Sequence, residues 1–217
     1  SDIAEVMVCM FGPTSDEYGL LHQGTRVRKM HSSYRSTFRT IGDVPIARVT
    51  RDSVIPIKTD YNKRRSDKKV TVLPFFEERV AIVYYYPNMH PDIIDSLADN
   101  GYKGIVIAGT GLGHVNKPVY PAIKRAVAKG VQIYMTVQTL GRDLMSMGIV
   151  PGENLLPEVA YIKLGWALGQ SSDPEKVREL MLTPIAGDIT TGEPYNGYLI
   201  YQGGIPEVEE FIRKYHK

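Results

Sequence analysis

Glu77–Gly113 reads EERVAIVYYYPNMHPDIIDSLADNGYKGIVIAGTGLG. Val80-Ala81-Ile82-Val83-Tyr84 is a short apolar, β-branched run, which predicts a strand buried on both faces. Pro91 suits the first turn of a helix, and Ile93, Ile94, Leu97 and Ala98 fall on one helical face. Asn100-Gly101 predicts the stop, because glycine accepts the left-handed turn after a helix without a Cβ clash. Gly104–Ala108 predicts a second buried strand. A strand, a helix and a strand in this order predict two parallel strands joined by a right-handed crossover.

Ala108-Gly109-Thr110-Gly111-Leu112-Gly113-His114 follows at the C-terminal end of the second strand, where open α/β sheets gather ligands. Its G-x-G-x-G spacing departs from the G-x-G-x-x-G dinucleotide fingerprint, and no acid follows the next strand. A structural turn or a contact between protomers is the expectation here.

The 217 residues can bury a sizeable core, and a formal charge of +2 does not imply non-specific affinity for nucleic acid. Cys9 is the single cysteine, which excludes an internal disulfide and a cysteine-built metal site and fits a reducing cytoplasm. The apolar runs are too short to span a bilayer, and no signal peptide is visible. His22, His31, His90 and His114 have no metal-site spacing.

In chain order, Ala4–Phe11 reads as an interior strand and Tyr18–Gln23 as a short extended run. Gly24–Arg39, rich in hydroxyl and cationic side chains without amphipathic period, predicts a loop over a site or a solvated surface. Val44–Thr50 and Ser53–Ile57 alternate around Arg51-Asp52, a hairpin signal. Asp60–Lys69 is a linker by composition. Pro118–Gly130 predicts a helix with Ile123, Ala126 and Val127 inward, and Gln132–Gln138 a third parallel strand. Pro157–Gly169 predicts a helix with Val159, Ile162 and Trp166 inward. Ser172 and Glu175 have capping-box spacing ahead of another, with Pro174 in its first turn. A tyrosine-rich stretch and a last helix, Pro206–His216, complete the pattern.

Lys29-Met-His-Ser-Ser-Tyr-Arg-Ser-Thr-Phe-Arg39 resembles the bacterial L-asparaginases, in which a lysine precedes hydroxyl residues, a phenylalanine and a basic residue. A narrower resemblance is to the family of archaeal glutamyl-tRNA(Gln) amidotransferase D subunits. It is carried by Pro45–Val49, Asp60–Arg64, Tyr102–Val115, Ile149–Ala160 and Leu182–Thr190. The resemblance implies an asparaginase-like α/β fold. Residues 1–58 would be the end of a larger N-terminal α/β domain whose front half is absent, and 59–76 a linker. Residues 77–217 would be a smaller C-terminal domain, a parallel sheet with helices on both faces.

The resemblance also implies a function, release of ammonia from glutamine or asparagine. The amidotransferase E subunit would use it to form Gln-tRNA(Gln) from charged tRNA(Gln). No cofactor is implied in this chain, ATP and Mg belonging to the partner, and a homodimer of D subunits is implied. The family's chemistry needs a threonine nucleophile and a second threonine beside an aspartate and a lysine. Lys29 occupies the lysine's place, where its ammonium would lower the proton affinity of neighbouring hydroxyls. Leu112 stands where many bacterial asparaginases carry asparagine, and His114 is expected to be structural. Nothing before Lys29 matches the threonine-rich turn; Thr59-Asp60 follows the lysine within the linker and is set aside. The family's longer loop at Leu140-Gly141 is also missing. The chain is therefore expected to be an incomplete catalyst. A stand-alone type I L-asparaginase is the alternative, and a non-catalytic RNA- or partner-binding module using Lys63–Lys69 is a third.

Overall fold

A computed structural model describes residues 1–12, 17–33, 37–65, 67, 69–139, 150–151 and 154–190. Among these the chain divides into two compact units, Ser1–Val70 and Thr71–Thr190. The join at Leu140-Gly141, the tyrosine-rich stretch and the expected helix Pro206–His216 lie outside the described residues.

The first unit is built from short antiparallel strands: β1 (Met7–Phe11), β2 (Gly19–Gln23), β3 (Val27–Lys29), β4 (Phe38–Thr40), β5 (Ala47–Val49) and β6 (Val54–Pro56). They form one sheet in the order β1-β2-β5-β6 and a separate β3-β4 hairpin. The hairpin read around Arg51-Asp52 is present: Val49 pairs with Val54, and Thr50 N–H donates to Ser53 O at 2.9 Å. Three expectations change. Among the described residues Ala4–Phe11 is not interior, for β1 lies at a sheet edge with Cys9 and Phe11 exposed. Gly24–Arg39 is not only loop or solvated surface, because it supplies β3 and the start of β4. Arg26 within it is 2 % exposed and donates from Nε to Ile41 O at 2.8 Å. Nor does the whole of Asp60–Lys69 run free. Asn62 O accepts from Ala4 N–H at 2.8 Å, Arg64 N–H donates to Asp2 O at 2.7 Å, and Tyr61 OH donates to Asp2 at 3.0 Å. Composition marked this segment as a linker, but its backbone is satisfied by another strand-like segment.

The second unit contains β7 (Val80–Tyr84), α1 (Asp92–Asp99), β8 (Gly104–Gly109), α2 (Tyr120–Ala128), β9 (Gln132–Val137), β10 (Val150–Pro151), α3 (Pro157–Gln170) and α4 (Pro174–Leu182). The strands are parallel in the order β10-β9-β8-β7, as expected for the βαβ reading. Ile94, Ala122, Ile123 and Ala126 of α1 and α2 pack with Ile105, Ile107 and Ile133 on one face. On the other face Ala160, Leu164, Ala167, Val177 and Met181 of α3 and α4 pack with Val106 and Tyr134. Helices therefore cover both faces of the sheet.

Several side-chain orientations differ from the sequence reading. The strand buried on both faces is β8, all six residues of it, whereas β7 is at the edge with Ala81 and Ile82 half-buried and Tyr84 exposed. Val127 and Ile162 point outward, 53 % and 55 % exposed. The inner faces of α2 and α3 are instead centred on alanines (Ala122 and Ala126, Ala160 and Ala167), whose small size permits close approach to the sheet. The cap of α4 is Asp173, which accepts from Glu175 N–H at 3.1 Å, in place of Ser172.

A buried ion pair ties α3 to the segment after α4. Lys163 Nζ donates to Asp188 Oδ2 at 2.5 Å and to Thr183 O at 2.7 Å, while Asp188 Oδ1 accepts from Ile185 and Ala186 N–H at 2.9 Å each. Burial pushes the Asp188 carboxyl up, but the hydrogen bonds from Lys163 and the two amides outweigh it, and the net shift is downward. Removing one member of such a pair leaves the other buried and uncompensated. Lys163→Met is expected to cost about 3–5 kcal/mol in denaturant unfolding, and Lys163→Met with Asp188→Asn clearly less.

In the first unit His22 is 1 % exposed, its Nδ1 2.9 Å from Thr40 Oγ1. Burial, then the Arg39 charge, lowers its pKa to about 4. The unfolded imidazole titrates near 6.5, so between these values the unfolded chain binds the extra proton. Stability is full above about pH 6.5 and falls as pH drops toward about 4, by at most about 1.4 kcal/mol per pH unit from this group. Unfolding midpoints measured from about pH 7.5 to about pH 5 should show that fall, and His22→Gln should reduce it.

Candidate functional site

Lys29 ends β3, and antiparallel pairing sets Val27 opposite Thr40, Arg28 opposite Arg39 and Lys29 opposite Phe38. The Lys29 side chain is exposed, its Nζ 5.9 Å from the centroid of the Phe38 ring. Met30 N–H donates to Thr37 O at 2.7 Å, so the two strands stay in register beyond the lysine. The residues between them include Ser32 and Ser33, both exposed, with Ser33 N–H donating to His31 Nδ1 at 3.0 Å. Tyr34, Arg35 and Ser36 of the motif lie outside the described residues. Thr37 and Thr40 are buried, and Thr40 is engaged by His22.

This hairpin concentrates Arg28, Lys29 and Arg39, and paired strands hold them in fixed order. Placing like charges opposite each other across a ladder is ordinarily unfavourable. Alternation along the strands sets Arg28 and Arg39 on one face of the hairpin and Lys29 with Phe38 on the other, so the charge that could stabilise a carbonyl oxygen during acyl transfer on the Lys29 face is that of Lys29. A nucleophile does not accompany it: among the described residues, the hydroxyls of the motif beside Lys29 are the exposed Ser32 and Ser33 and the buried Thr37.

The glycine turn after β8 is closed on itself. Gly113 and His114 N–H both donate to Thr110 O, at 3.0 and 2.8 Å, and Thr110 N–H donates to His114 O at 3.0 Å. Gly111 and Gly113 have φ of +54° and +90°, and a Cβ on Gly109 would stand 2.4 Å from the Gly113 carbonyl carbon. Only glycines fit so tight a return. Three of its amides are thereby spent internally, which disfavours a phosphate cradle and favours the structural turn. Gln138, directly after β9, braces it, donating from Nε2 to Ala108 O at 2.8 Å and Tyr85 O at 2.5 Å. Leu112 is exposed and His114 is exposed beside it.

The segments Ile149–Ala160 and Leu182–Thr190, far apart in the chain, meet through Asn154. Its Nδ2 donates to Thr190 O at 2.5 Å, and its Oδ1 accepts from Thr190 N–H at 3.0 Å. Lys163 and Asp188, absent from the sequence reading as a pair, reinforce the same junction. They are separated by 25 residues, and no local pattern joins them.

Among the described residues no group of three or more His, Cys, Asp or Glu could hold a metal ion, and no helix is long and apolar enough to cross a membrane. The basic run at Lys63 is partly neutralised: Lys63 lies 3.8 Å from Asp2, and Arg65 lies 2.6 Å from Asp67. Lys68 lies outside the described residues.

Residues 79–181 match the Glutaminase/Asparaginase C-terminal domain family. The chain is 49 % identical over 210 residues to the glutamyl-tRNA(Gln) amidotransferase D subunit of Thermococcus kodakarensis, a match covering 92 % of this chain and 48 % of that protein. It is 43 % identical over 213 residues to the protein of the same name from Methanopyrus kandleri, covering 91 % of this chain and 46 % of that one. Among solved structures, the thermostable L-asparaginase from T. kodakarensis superposes with a TM-score of 0.70 at 26 % identity, over 80 % of this chain and 56 % of that one. L-asparaginase I from Vibrio cholerae gives a TM-score of 0.68 at 22 % identity, over 79 % and 55 %, and shows the shared fold. The chain spans about half the length of the curated relatives it matches. It therefore belongs to the asparaginase-like family, as a relative of the archaeal glutamyl-tRNA(Gln) amidotransferase D subunits.

Proposed function

We propose that this chain is part of the ammonia-generating subunit of an archaeal Glu-tRNA(Gln) amidotransferase. The observation that carries the proposal is the contrast in likeness: 49 % identity to a protein named as an amidotransferase D subunit, against 26 % to an L-asparaginase of the same organism. Glutamine or asparagine would be the amide donor, and charged tRNA(Gln) the acceptor of the ammonia through the complex. The amidotransferase E subunit would be the partner, holding ATP and Mg, with no cofactor in this chain. The setting would be the cytoplasm, and the D subunits would form a homodimer.

In the proposed chemistry a hydroxyl oxygen attacks the side-chain amide carbon, the C–N bond breaks, and ammonia leaves with the hydroxyl's proton. Water then cleaves the resulting ester and restores the hydroxyl. Lys29 would supply a fixed positive charge beside the hydroxyls that exchange these protons, favouring their deprotonated forms. The exposed ammonium at the end of β3, on the same face of the hairpin as Phe38, supports that role. The threonine nucleophile and the threonine–aspartate pair that the family needs have no counterpart before Lys29, and this reading requires them from additional sequence.

The test uses full-length protein with its E-type partner. Ammonia release from glutamine and asparagine should rise when charged tRNA(Gln) and ATP are present, and Gln-tRNA(Gln) should form. Lys29→Ala should lower the rate roughly 100-fold or more while the unfolding midpoint stays near wild type. Ammonia release indifferent to tRNA and to the E-type partner would instead support the stand-alone asparaginase, and full activity in Lys29→Ala would remove the role given to this residue.

A further inference from the structure

The β3–β4 hairpin that carries Lys29 is a ribbon of three residues a side, and such a ribbon is marginal in water unless something holds it. Its side chains alternate between two faces. Val27 stands opposite Thr40 and Lys29 opposite Phe38, so these four share one face, and Arg28 with Arg39 take the other. The Lys29 face runs from the exposed ammonium, past the Phe38 ring whose centroid is 5.9 Å from Nζ, to Thr40, which is fully buried. A hydroxyl at the buried end of that face requires a partner.

A partner comes from outside the hairpin. His22 belongs to β2 of the four-stranded sheet, and its Nδ1 lies 2.9 Å from Thr40 Oγ1. Both residues are shielded from water, and a buried polar contact of this kind accepts few alternative geometries. Burial, then the Arg39 charge, holds the His22 pKa at about 4, so the ring is neutral at neutral pH and adds no positive charge on the Lys29 side. At the base of the ribbon, Arg26 Nε donates to Ile41 O at 2.8 Å and Ile41 N–H donates to Arg26 O at 2.8 Å. Those contacts join the two arms of the hairpin to each other. The His22–Thr40 bond joins the hairpin to the sheet.

We propose that His22 and Thr40 are positioning residues for Lys29, a clamp from β2 to β4 that fixes the direction in which the hairpin presents the ammonium. Lys29 lies two residues beyond Val27, the residue opposite Thr40, or roughly 7 Å along the strand. A tilt of about 10° at the clamp moves the lysine backbone by about 1 Å, and a displacement of that size can cost about 100-fold in rate. Lys29 would act on charge that develops during the reaction, so its displacement lowers kcat and leaves substrate binding as it was. His22 and Thr40 are both buried, and the effect of the clamp passes through Lys29. The inference rests on the role proposed for Lys29, so one arm of its test does not use activity.

Full-length protein with its E-type partner is assayed for ammonia release. Thr40→Val keeps the shape of the side chain and removes its hydroxyl. It should lower kcat roughly 10-fold or more with KM within about twofold of wild type, whereas Thr40→Ser, which keeps the hydroxyl, should stay near wild type. His22→Leu should reproduce Thr40→Val, and the double variant should lose no more than either single one. In a Lys29→Ala background Thr40→Val should cost nothing further. The independent arm is methyl NMR of full-length protein whose lysines carry isotope-labelled methyl groups, a modification that keeps their charge. The Lys29 signal, identified by its loss in Lys29→Arg, should move or broaden in Thr40→Val and hold its place in Thr40→Ser. Circular dichroism confirms that each variant is folded. A Lys29 signal indifferent to Thr40→Val, a loss of kcat as large in the Lys29→Ala background as in wild type, or a loss in Thr40→Ser equal to that in Thr40→Val would each overturn the clamp. A Lys29 signal that moves in Thr40→Val while Lys29→Ala keeps full ammonia release upholds the clamp and removes the catalytic role of Lys29 instead.

Discussion

The burial of β8 on both faces is the constraint from which the second unit follows. Six consecutive residues have almost no contact with water, so every peptide group in the strand needs a protein partner. β7 and β9 supply those partners in register on either side. The side chains then demand apolar cover above and below. Ile105 and Ile107 receive it from α1 and α2, and Val106 from α3 and α4, each burial contributing roughly 1.5–3 kcal/mol. Gly104 permits the closest approach of α3, since a Cβ there would lie 2.8 Å from Leu164 Cδ2.

Polar groups inside this framework are held by specific partners, and they set how loops leave the sheet. Thr136 Oγ1 donates to Leu155 O at 2.7 Å, fixing the approach to α3. Gln138 holds the exit of β8, and Lys163 with Asp188 holds the return from α4. Such groups add less net stability than their geometry suggests, because each was hydrated before folding. Their consequence is positional: buried donors and acceptors tolerate few alternative arrangements. In the first unit Arg26 and His22 do the same for the β3–β4 hairpin, whose end carries Lys29.

The candidate chemistry sits at that end. A paired strand gives the ammonium a defined position while leaving it exposed to whatever hydroxyls approach. A rigid scaffold carrying a charge at its rim is how preorganised electrostatic catalysis is ordinarily built. In the proposed reading the hairpin supplies the charge and the nucleophile comes from elsewhere; the chain spans about half of its relatives' length.

The sequence by itself determined the βαβ elements, including the bounds of the strand at Val80–Tyr84 and the stops at Gly101 and Gly130, because these depend on local periodicity and on backbone freedom. It also exposed Lys29 and the motif around it, because side-chain chemistry is written residue by residue. Tertiary structure alone decided which strand is central, since apolar runs at β7 and β8 read alike and only pairing on a second side distinguishes them. It likewise turned Val127 and Ile162 outward in favour of alanines, a choice set by how closely each helix meets the sheet. It brought Lys163 to Asp188 and buried Arg26 under the carbonyl of Ile41, contacts between residues with no local relation, whose partners exist only once the chain has folded.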